Sequence, residues 1–340
     1  MLATVANPKS KLAVLTNLEA LGRRGVELED QRLTSSTRKV YARELAAFES
    51  WTALNGFPSD PSDAASVYGY LTFQADRMKL ASVIKIAAVL SATSKKLGLE
   101  PATKNPRVAD MLRGLRRETA TKGIKQNCRA ALPLDDLRKL LDNIDLTTLR
   151  GKRDAAVLLL GFTGAMRRSE IVALNFDDVQ FVEDGVTLTI RMSKTNQEGG
   201  EPDVVAIPFG STRATCPVRT LRAWLEASEI TDGALFRSVN RHGKISNRTF
   251  ERGGRHIENG GRMEGKDIAL TVQRTAAAAG LDASKLGAHS LRAGCATQAA
   301  KKGVHATGIK RLGRWKSNVY ERYIRFSTVW EDAPAAKLGL

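Results

Sequence analysis

Two tyrosines stand close together in the segment GRWKSNVYERY, residues 313–323, among several basic side chains. Their spacing of three residues places Tyr320 and Tyr323 on one face of a short helix. A phenolic hydroxyl has a pKa of about 10, so it attacks a phosphodiester only if its proton is removed or its developing charge is stabilised. The alternative is that both rings pack against a core as ordinary amphipathic residues.

Two further motifs contain side chains that could supply this stabilisation. In TGAMRRSEIVAL, Arg167, Arg168 and Glu170 open an amphipathic helix, and a helix N-terminus that carries arginines is suited to hold a phosphate. In GAHSLRAG, His289 and Arg292 lie three residues apart on one face of a second helix. Each motif alone is weak, because Arg167 could equally pair with a nearby acid and His289 could be an ordinary helix-start residue.

A lysine and a tryptophan complete the set. Lys194 lies at the end of a strand near the polar tip of a predicted hairpin, and Trp315 stands just before the tyrosines. Guanidinium groups, an imidazole and an indole N–H can together meet the charge that develops on a phosphate, and a lysine can protonate the departing alkoxide. The chain has no GxxxxGK[ST] or HExxH motif and no carboxylate cluster at metal-ligand spacing. The set therefore predicts phosphoryl transfer with no metal ion or other cofactor.

The charge of the chain indicates a polyanionic partner. Its 340 residues carry a formal net charge of +17, and the sequence pI is about 10.0. Residues 1–130 contribute +9 and the rest +8, so both halves are basic. Two basic bodies suit a protein that clamps duplex DNA, whereas a single basic tail would concentrate the excess. The alternative is a chain whose net charge merely keeps it soluble.

The remaining composition favours a soluble, cytoplasmic protein. No apolar stretch approaches the roughly 20 residues of a membrane-spanning helix, and the N-terminus shows no signal-peptide pattern. Cys128, Cys216 and Cys295 are odd in number and far apart, which argues against a disulfide framework or a structural zinc site. We therefore expect neither a membrane nor a small molecule as the partner.

The hydrophobic pattern predicts a mainly α-helical protein of two domains. Residues 35–118 indicate helices separated by short polar turns, residues 119–133 a cationic linker, and residues 134–326 a second domain. Residues 1–34 would form an N-terminal arm and residues 327–340 a C-terminal tail.

The second domain is expected to combine helices with a small antiparallel β-sheet. The segment VTLTIRM alternates in polarity, NQEGGEPD provides a polar turn and VVAIPFG returns, which is typical of a hairpin. Residues 236–266, rich in Gly, Arg and Asn, are expected to form loops and short helices near the polyanion.

The candidate DNA-contacting cations are Arg38, Lys39, Lys85, Arg113, Arg116, Arg117, Arg241 and Lys244.

Four motifs together resemble those of a known family. GFTGAMRRSEIVALNFDDV, RMSKTN, GAHSLRAG and GRWKSNVYERYIR are similar to the boxes of the tyrosine recombinases, also called the phage integrase family. The subtype typified by the Cre recombinase is the most similar, because a Trp occupies the usual second-histidine place and Ile-Arg follows the tyrosine. The resemblance covers most of the chain. It implies a SAM-like helical core-binding domain over residues 35–118 and a catalytic domain over residues 134–326.

Carried over one residue at a time, the resemblance assigns a role to each member of the set. The phosphate donors would be Arg167, His289, Arg292 and Trp315, with Glu170 orienting the site, Lys194 as the general acid and Tyr323 as the nucleophile. Tyr323 stands eight residues after Trp315, whereas the commonest family spacing is nine, a position that Ile324 occupies here. Tyr320, on the same face, remains the alternative nucleophile.

The function that the resemblance implies is site-specific DNA recombination. A homotetramer on two double-stranded sites would exchange strands through a Holliday junction and a 3′-phosphotyrosyl intermediate, without metal or ATP. The tail would contact a neighbouring subunit or pack on its own domain. The rival functions are a type IB topoisomerase and a catalytically inactive DNA-binding accessory protein. The small helical first domain and Trp315 argue against the former, and the complete set of site residues argues against the latter.

Overall fold

Between Gln126 and Asn127 the chain divides into two units, each with its own hydrophobic core. This computed structural model describes residues 24–25, 32–123, 129–191, 200–245, 249–252, 255–258 and 261–325. The predicted N-terminal arm lies almost wholly outside the described residues, and the predicted C-terminal tail lies wholly outside them.

The described part of the first unit contains four long helices, which the periodicity predicts. They are α1 (Ser35–Asn55), α2 (Ala64–Ala75), α3 (Leu80–Lys96) and α4 (Pro106–Thr121). Side-chain caps begin three of them: Thr34 accepts from the Thr37 backbone N–H at 3.3 Å, Asp63 from that of Ser66 at 2.7 Å, and Asn105 from that of Arg107 at 3.0 Å. Gly56 ends α1 in the left-handed conformation, with a φ of 70°. The apolar faces meet in a core that includes Phe48, Val67, Tyr70, Leu71, Val83, Leu90 and Val108.

The second unit combines helices with short antiparallel strands, and this confirms the predicted fold class. Its helices are α5 (Leu134–Asp142), α6 (Leu149–Thr163), α7 (Arg168–Ala173), α8 (Pro217–Ser228), α9 (Gly265–Ala278), α10 (Ala288–Lys301) and α11 (Ala306–Gly313). Its strands are β1 (Val179–Val182), β2 (Gly185–Ile190), β3 (Asp203–Pro208), β4 (Thr249–Arg252) and β5 (Arg255–Glu258). A 3-10 helix, Asn318–Tyr323, follows α11. Nowhere in the described ranges is a helix both long and apolar enough to cross a membrane.

Both ends of the predicted linker are structured. Helix α4 continues to Thr121, and the backbone N–H of Ala130 already donates to Lys285 of the second unit at 2.9 Å. The N–H of Leu132 donates to the carbonyl of Ser290 at 3.0 Å, and its side chain is fully buried. Residues 129–133 therefore pack as part of the second unit, while residues 124–128 lie outside the described chain.

Helix α6 lies at the centre of the second unit. Its residues from Arg153 to Phe162 are all buried, because α8 and α10 both pack against it. Gly161 permits the close approach of α10, since a Cβ there would press against the side chain of Leu291. The helix ends at Thr163, as the sequence predicts, and the loop that follows leads directly to Arg167.

Strands β1, β2 and β3 form an antiparallel sheet in that order. Strand β2 pairs with β3 from Gly185 opposite Pro208 to Ile190 opposite Asp203. Its residues alternate between buried and partly exposed, which is the period-two pattern on which the prediction rests. The predicted hairpin is therefore confirmed. Its tip, residues 192–199, lies outside the described residues and contains Lys194.

The prediction of loops and short helices for residues 236–266 was wrong in part. Strands β4 and β5 form an antiparallel hairpin there, with Phe250 opposite Ile257. The high content of Gly, Arg and Asn concealed two runs of only four residues each. The signal that was present is the Gly-Gly dipeptide at 253–254, which is typical of a two-residue hairpin connection.

Candidate active site

Arg167 and Glu170 pair at the start of α7. Glu170 Oε2 accepts a hydrogen bond from the Arg167 backbone N–H at 2.9 Å, and its Oε1 accepts from Arg167 Nη1 at 2.5 Å. A carboxylate in the first turn of a helix is favoured by the helix dipole. The R-x-x-E spacing therefore fixes the direction of the Arg167 side chain, which remains partly exposed.

A second guanidinium, that of Arg314, contacts the same carboxylate. Arg314 Nη2 lies 2.6 Å from Glu170 Oε2, and the Glu170 side chain is only 1% exposed. Burial opposes ionisation, but the charges of Arg314 and Arg167 and the hydrogen bonds from Arg167 outweigh it and hold the pKa of Glu170 below its usual value. Glu170 is therefore ionised at neutral pH, and the cluster of one carboxylate and two guanidiniums stays positively charged.

Arg292 is fully buried on α10 and connects two loops. Its terminal nitrogens donate to the backbone carbonyls of Ala165, after α6, and Gly313, at the end of α11. Burial, and then the neighbouring charge of Arg167, lower the pKa of Arg292 to about 10. The guanidinium is thus still charged at neutral pH and is fixed in position by the backbone.

The rings of Trp315 and Tyr323 lie beside this guanidinium. Arg292 Cζ is 4.2 Å from the Trp315 ring centroid and 5.4 Å from that of Tyr323. The two ring centroids are 5.1 Å apart. Cation–π contact of this kind favours a defined packing of the guanidinium against both rings. The three side chains form one contact group, which we call the Arg292 group.

Tyr320 lies on the same side of the 3-10 helix as Tyr323, as the spacing predicts. A 3-10 helix has three residues per turn, so side chains three apart stack above one another. Tyr320 is buried in an apolar cluster with Ala296, Ile309 and Trp315, against which Tyr323 also packs, and Lys310 Nζ lies 5.5 Å from the Tyr320 ring centroid. Tyr323 is only partly buried and contacts Arg292 through its ring. The two tyrosines therefore share a face but differ in their surroundings.

Thr297, which the sequence analysis did not single out, anchors the end of this 3-10 helix to α10. Its hydroxyl accepts from the Arg325 backbone N–H at 2.9 Å, and its single proton lies between the carbonyl of Ala293, at 2.7 Å, and that of Tyr323, at 3.2 Å. Thr297 lies on the same helix as Arg292, five residues further along. Helix α10 therefore carries the guanidinium and also holds the backbone of Tyr323.

Two buried donors in the Arg292 group have no hydrogen-bond acceptor within the described part of the chain. They are Arg292 Nε and Trp315 Nε1. Leaving a buried donor unsatisfied costs about 1–3 kcal/mol, so such groups normally have a partner. Arg314 Nε, in the neighbouring cluster with Glu170, is likewise buried without an acceptor in the described chain.

His289 stands three residues before Arg292, in the first turn of α10. The His289 side chain is exposed at its edge, and partial loss of hydration, followed by the charges of Arg168, Arg292 and Arg167, lowers its pKa below the usual value. Of the guanidiniums, Arg168 has the largest effect, although its side chain is exposed. The imidazole is therefore neutral at neutral pH and can accept a hydrogen bond as well as donate one.

Comparison with known proteins places this geometry in a family. Residues 131–327 match the sequence model described as the phage integrase family. The chain is also 30% identical over 327 residues to an "Integrase/recombinase xerD homolog" of Selenomonas ruminantium, covering 95% of this chain and 91% of that protein. The chain belongs to the phage integrase family. The tyrosine recombinase family predicted from the four motifs is thereby confirmed.

Other members of the phage integrase family resemble the chain over most of its length. "Recombinase cre" of Escherichia phage P1 is 23% identical over 311 residues, which cover 87% of this chain and 85% of that protein. The crystal structure of a lambda integrase tetramer bound to a Holliday junction has a TM-score of 0.55 at 17% identity and covers 91% of this chain and 78% of that one. The crystal structure of a lambda integrase (residues 75–356) dimer bound to a COC′ core site also has a TM-score of 0.55, at 19% identity. This match covers 90% of the present chain and 94% of the lambda integrase chain. These similarities support the fold.

Of the seven site residues predicted for this family member, six lie in the described part of the second unit. Contacts join Arg167 to Glu170, and a separate set joins Arg292 to Trp315 and Tyr323. The remaining residue, Lys194, falls on the hairpin tip outside the described residues. The roles of all seven remain predictions.

The candidate DNA contacts are exposed side chains in both units. Lys85 Nζ lies 2.9 Å from Glu44 Oε1, and Arg113 pairs with Asp110 across one turn of α4. Exposed side chains also occur at Arg38, Lys39, Arg116, Arg117, Arg241 and Lys244. Contact of these cations with DNA stays a prediction.

Arg314 is a site residue that the sequence analysis missed. The sequence did carry a signal, because Arg314 stands nine residues before Tyr323, the commonest family interval between donor and nucleophile. The analysis assigned the donor to the neighbouring Trp315 and left Arg314 without a role. The structure places the two side chains on different partners, with Arg314 on Glu170 and Trp315 on Arg292.

Replacing Gly313 by Ala is expected to displace the Trp315 ring. A Cβ at position 313 would overlap that ring, and forced repacking of a buried site typically costs about 1–3 kcal/mol. We expect a lower denaturation midpoint and a shifted tryptophan emission. The matched control is Gly114→Ala on α4, where a Cβ meets nothing within 4 Å. Equal midpoints for both variants would contradict the packing described here.

Proposed function

We propose that this protein is a site-specific DNA recombinase in which Tyr323 cleaves and rejoins DNA through a 3′-phosphotyrosyl intermediate. The observation that carries the proposal is the Arg292 group, where a buried, charged guanidinium contacts the rings of both Tyr323 and Trp315. A guanidinium Nε and an indole N–H remain available there as donors to a phosphate. The cation over the Tyr320 ring is Lys310, 5.5 Å from the centroid, whereas Arg292 lies over the rings of Tyr323 and Trp315.

The cleavage step follows from these side chains. The Tyr323 oxygen attacks phosphorus, the bond from phosphorus to the 5′ oxygen breaks, and the DNA is left with a free 5′-hydroxyl. Additional negative charge develops on the nonbridging oxygens, and hydrogen bonds from Arg167, Arg292 and Trp315 stabilise it. His289, neutral at neutral pH, takes up the proton that leaves Tyr323. Glu170 orients Arg167 through its two hydrogen bonds.

Lys194 has the role of general acid in this proposal and gives its proton to the departing 5′ oxygen. The covalent link preserves the energy of the phosphodiester, so attack by a 5′-hydroxyl from a second duplex completes the exchange without ATP. Fixed guanidiniums carry out the charge stabilisation that many phosphoryl-transfer enzymes obtain from Mg²⁺.

The assembly follows from the relatives. Because a lambda integrase tetramer is described on a Holliday junction, we infer that four copies of this chain act on two double-stranded sites. The first unit would serve as the core-binding domain and the second as the catalytic domain, acting on DNA in the cytoplasm. The net charge of +17 supplies the affinity for a phosphate backbone.

Covalent trapping tests the proposal. Duplexes bound by the protein are first selected from a random-sequence library, and nicked versions of them are then incubated with the protein in EDTA. We expect a protein–DNA adduct that resists denaturant. The mass of the modified peptide should identify Tyr323 as the residue to which the DNA is attached. Relaxation of supercoiled plasmid without strand exchange would instead indicate the topoisomerase function. Specific binding without any adduct would indicate the accessory function and overturn the proposal.

The charge of His289 is expected to make DNA binding dependent on pH. The pKa of His289 is lowered in the free protein, and a nearby phosphate raises it again, so binding takes up a proton. Affinity should therefore increase as pH falls from about 7.5 to about 6, by at most about tenfold per pH unit. Fluorescence anisotropy with the selected duplex measures this. A His289→Gln variant should lose most of the dependence, whereas His305→Gln should keep it; equal slopes in both variants would contradict the prediction.

A further inference from the structure

Arg314 joins two loops of the candidate site that are far apart in sequence. Its Nη1 donates to the carbonyl of Gly164 at 3.1 Å, and its Nη2 donates to Glu170 Oε2 at 2.6 Å. Arg292 links the same two loops through its own carbonyl contacts. The side chain of Arg314 is only 6% exposed, so these contacts are largely removed from water.

The backbone of Arg314 indicates that this side chain is needed. Its φ is 56°, in the left-handed region that glycine adopts at little cost and other residues adopt at a steric penalty. This position ends α11, where glycine is the common residue. The buried contacts of the arginine side chain offset this steric penalty.

The carboxylate of Glu170 is shared between the two arginines. Its Oε1 contacts Arg167, while its Oε2 contacts both the Arg167 backbone and Arg314. If Arg314 were absent, Arg167 alone would have to pair with the buried, negatively charged carboxylate of Glu170. That guanidinium would then be held more tightly by the carboxylate and would be less able to bind a phosphate.

We propose that Arg314 is a positioning residue for DNA cleavage, which holds Glu170 so that Arg167 stays available to the phosphate and which fixes the Trp315–Tyr323 segment against the start of α7. The inference rests on the proposed function, since it deepens the description of the same site. Arg314 acts through Glu170 and the loop backbone. Its own Nε is buried without an acceptor among the described residues, and the role proposed here rests on the two Nη contacts alone.

Cleavage kinetics with the trapping duplex test this proposal. Arg314→Gln should reduce the rate of adduct formation about 10- to 100-fold, the range expected for a small misplacement of catalytic groups, with DNA affinity changed by less than about threefold. Arg314→Lys should recover part of the rate. Arg314→Gly removes the side chain while relieving the backbone, so it should fold at least as well as Arg314→Gln and be equally slow.

The pH dependence separates positioning from a general loss of structure. The charged groups that face Glu170 are Arg314 at the end of α11, Arg167 at the start of α7 and, further away, Arg292 on α10. Removing Arg314 should raise the pKa of Glu170, so the cleavage rate should begin to fall at a higher pH on the acid side. A double variant of Arg314→Gln with Glu170→Gln should be no slower than the slower single variant.

The matched control is Arg311→Gln, an exposed arginine on the same helix, which should cleave at the wild-type rate. If the wild-type chain forms no adduct, the proposed function itself fails. If the wild type cleaves and the folded Arg314→Gln and Arg314→Gly variants match it in rate and pH profile, the positioning role is wrong. Additive losses in the double variant would likewise overturn it.

Discussion

Tyr323→Phe is expected to abolish the covalent adduct while leaving DNA binding within about twofold of wild type. The substitution removes only the hydroxyl, so the ring can keep its contacts with Trp315, at 5.1 Å between centroids, and with Arg292. Without the oxygen no bond to phosphorus can form. Gel analysis under denaturing conditions measures the adduct, and anisotropy measures the binding.

Tyr320→Phe is the matched control because it removes the other hydroxyl of the same 3-10 helix. The Tyr320 ring belongs to the apolar cluster with Ala296 and Ile309, so we expect this variant to fold and cleave as wild type does. An adduct that survives Tyr323→Phe and disappears in Tyr320→Phe would move the nucleophile by three residues. An adduct lost in neither variant would exclude both tyrosines.

Arg292→Gln is expected to have the second largest effect, and on two properties at once. A donor of this kind is typically worth on the order of 100- to 1,000-fold in rate, so cleavage should fall by at least that range. The carbonyls of Ala165 and Gly313 also lose their charged donor, and each buried acceptor left unsatisfied typically costs about 1–3 kcal/mol in the free energy of unfolding. Urea denaturation and the rate of adduct formation measure the two effects.

Arg292→Lys helps to separate the two effects. Lysine keeps the charge, but its three N–H donors share one nitrogen and cannot reproduce the separate positions of Nη1, Nη2 and Nε in the planar guanidinium. We expect this variant to be more stable than Arg292→Gln but still slow in cleavage. Wild-type cleavage by Arg292→Lys would show that the fork geometry of the guanidinium is unimportant.

Local spacing predicted those parts of the fold and site that depend on neighbours in sequence. The pair of Arg167 and Glu170, three residues apart on one turn, is joined in the structure by two hydrogen bonds. Period-two alternation predicted the pairing of β2 with β3, and helical periodicity predicted the helices of both units. Each of these features is encoded within a single turn or a single hairpin.

Contacts between distant segments could not be predicted in the same way. Glu170 and Arg314 are 144 residues apart, so no periodicity relates them. The acceptors of Arg292 are backbone carbonyls, whose directions depend on loop conformations such as the left-handed Ala165, with a φ of 44°. These groups come together only when the chain folds, so sequence spacing does not predict their contacts. The one exception is the interval of nine residues between Arg314 and Tyr323.

The anchoring of the 3-10 helix to α10 has a consequence for mixtures of subunits. Thr297 ties the segment that ends at Tyr323 to the helix that also carries His289 and Arg292, and the Arg292 guanidinium contacts the Tyr323 ring, so the proposed nucleophile meets its proposed donors within one chain. Each subunit should therefore cleave the strand that it binds, in cis. When Tyr323→Phe subunits are mixed with Arg292→Gln subunits, neither should complement the other, and the mixed assembly should remain inactive.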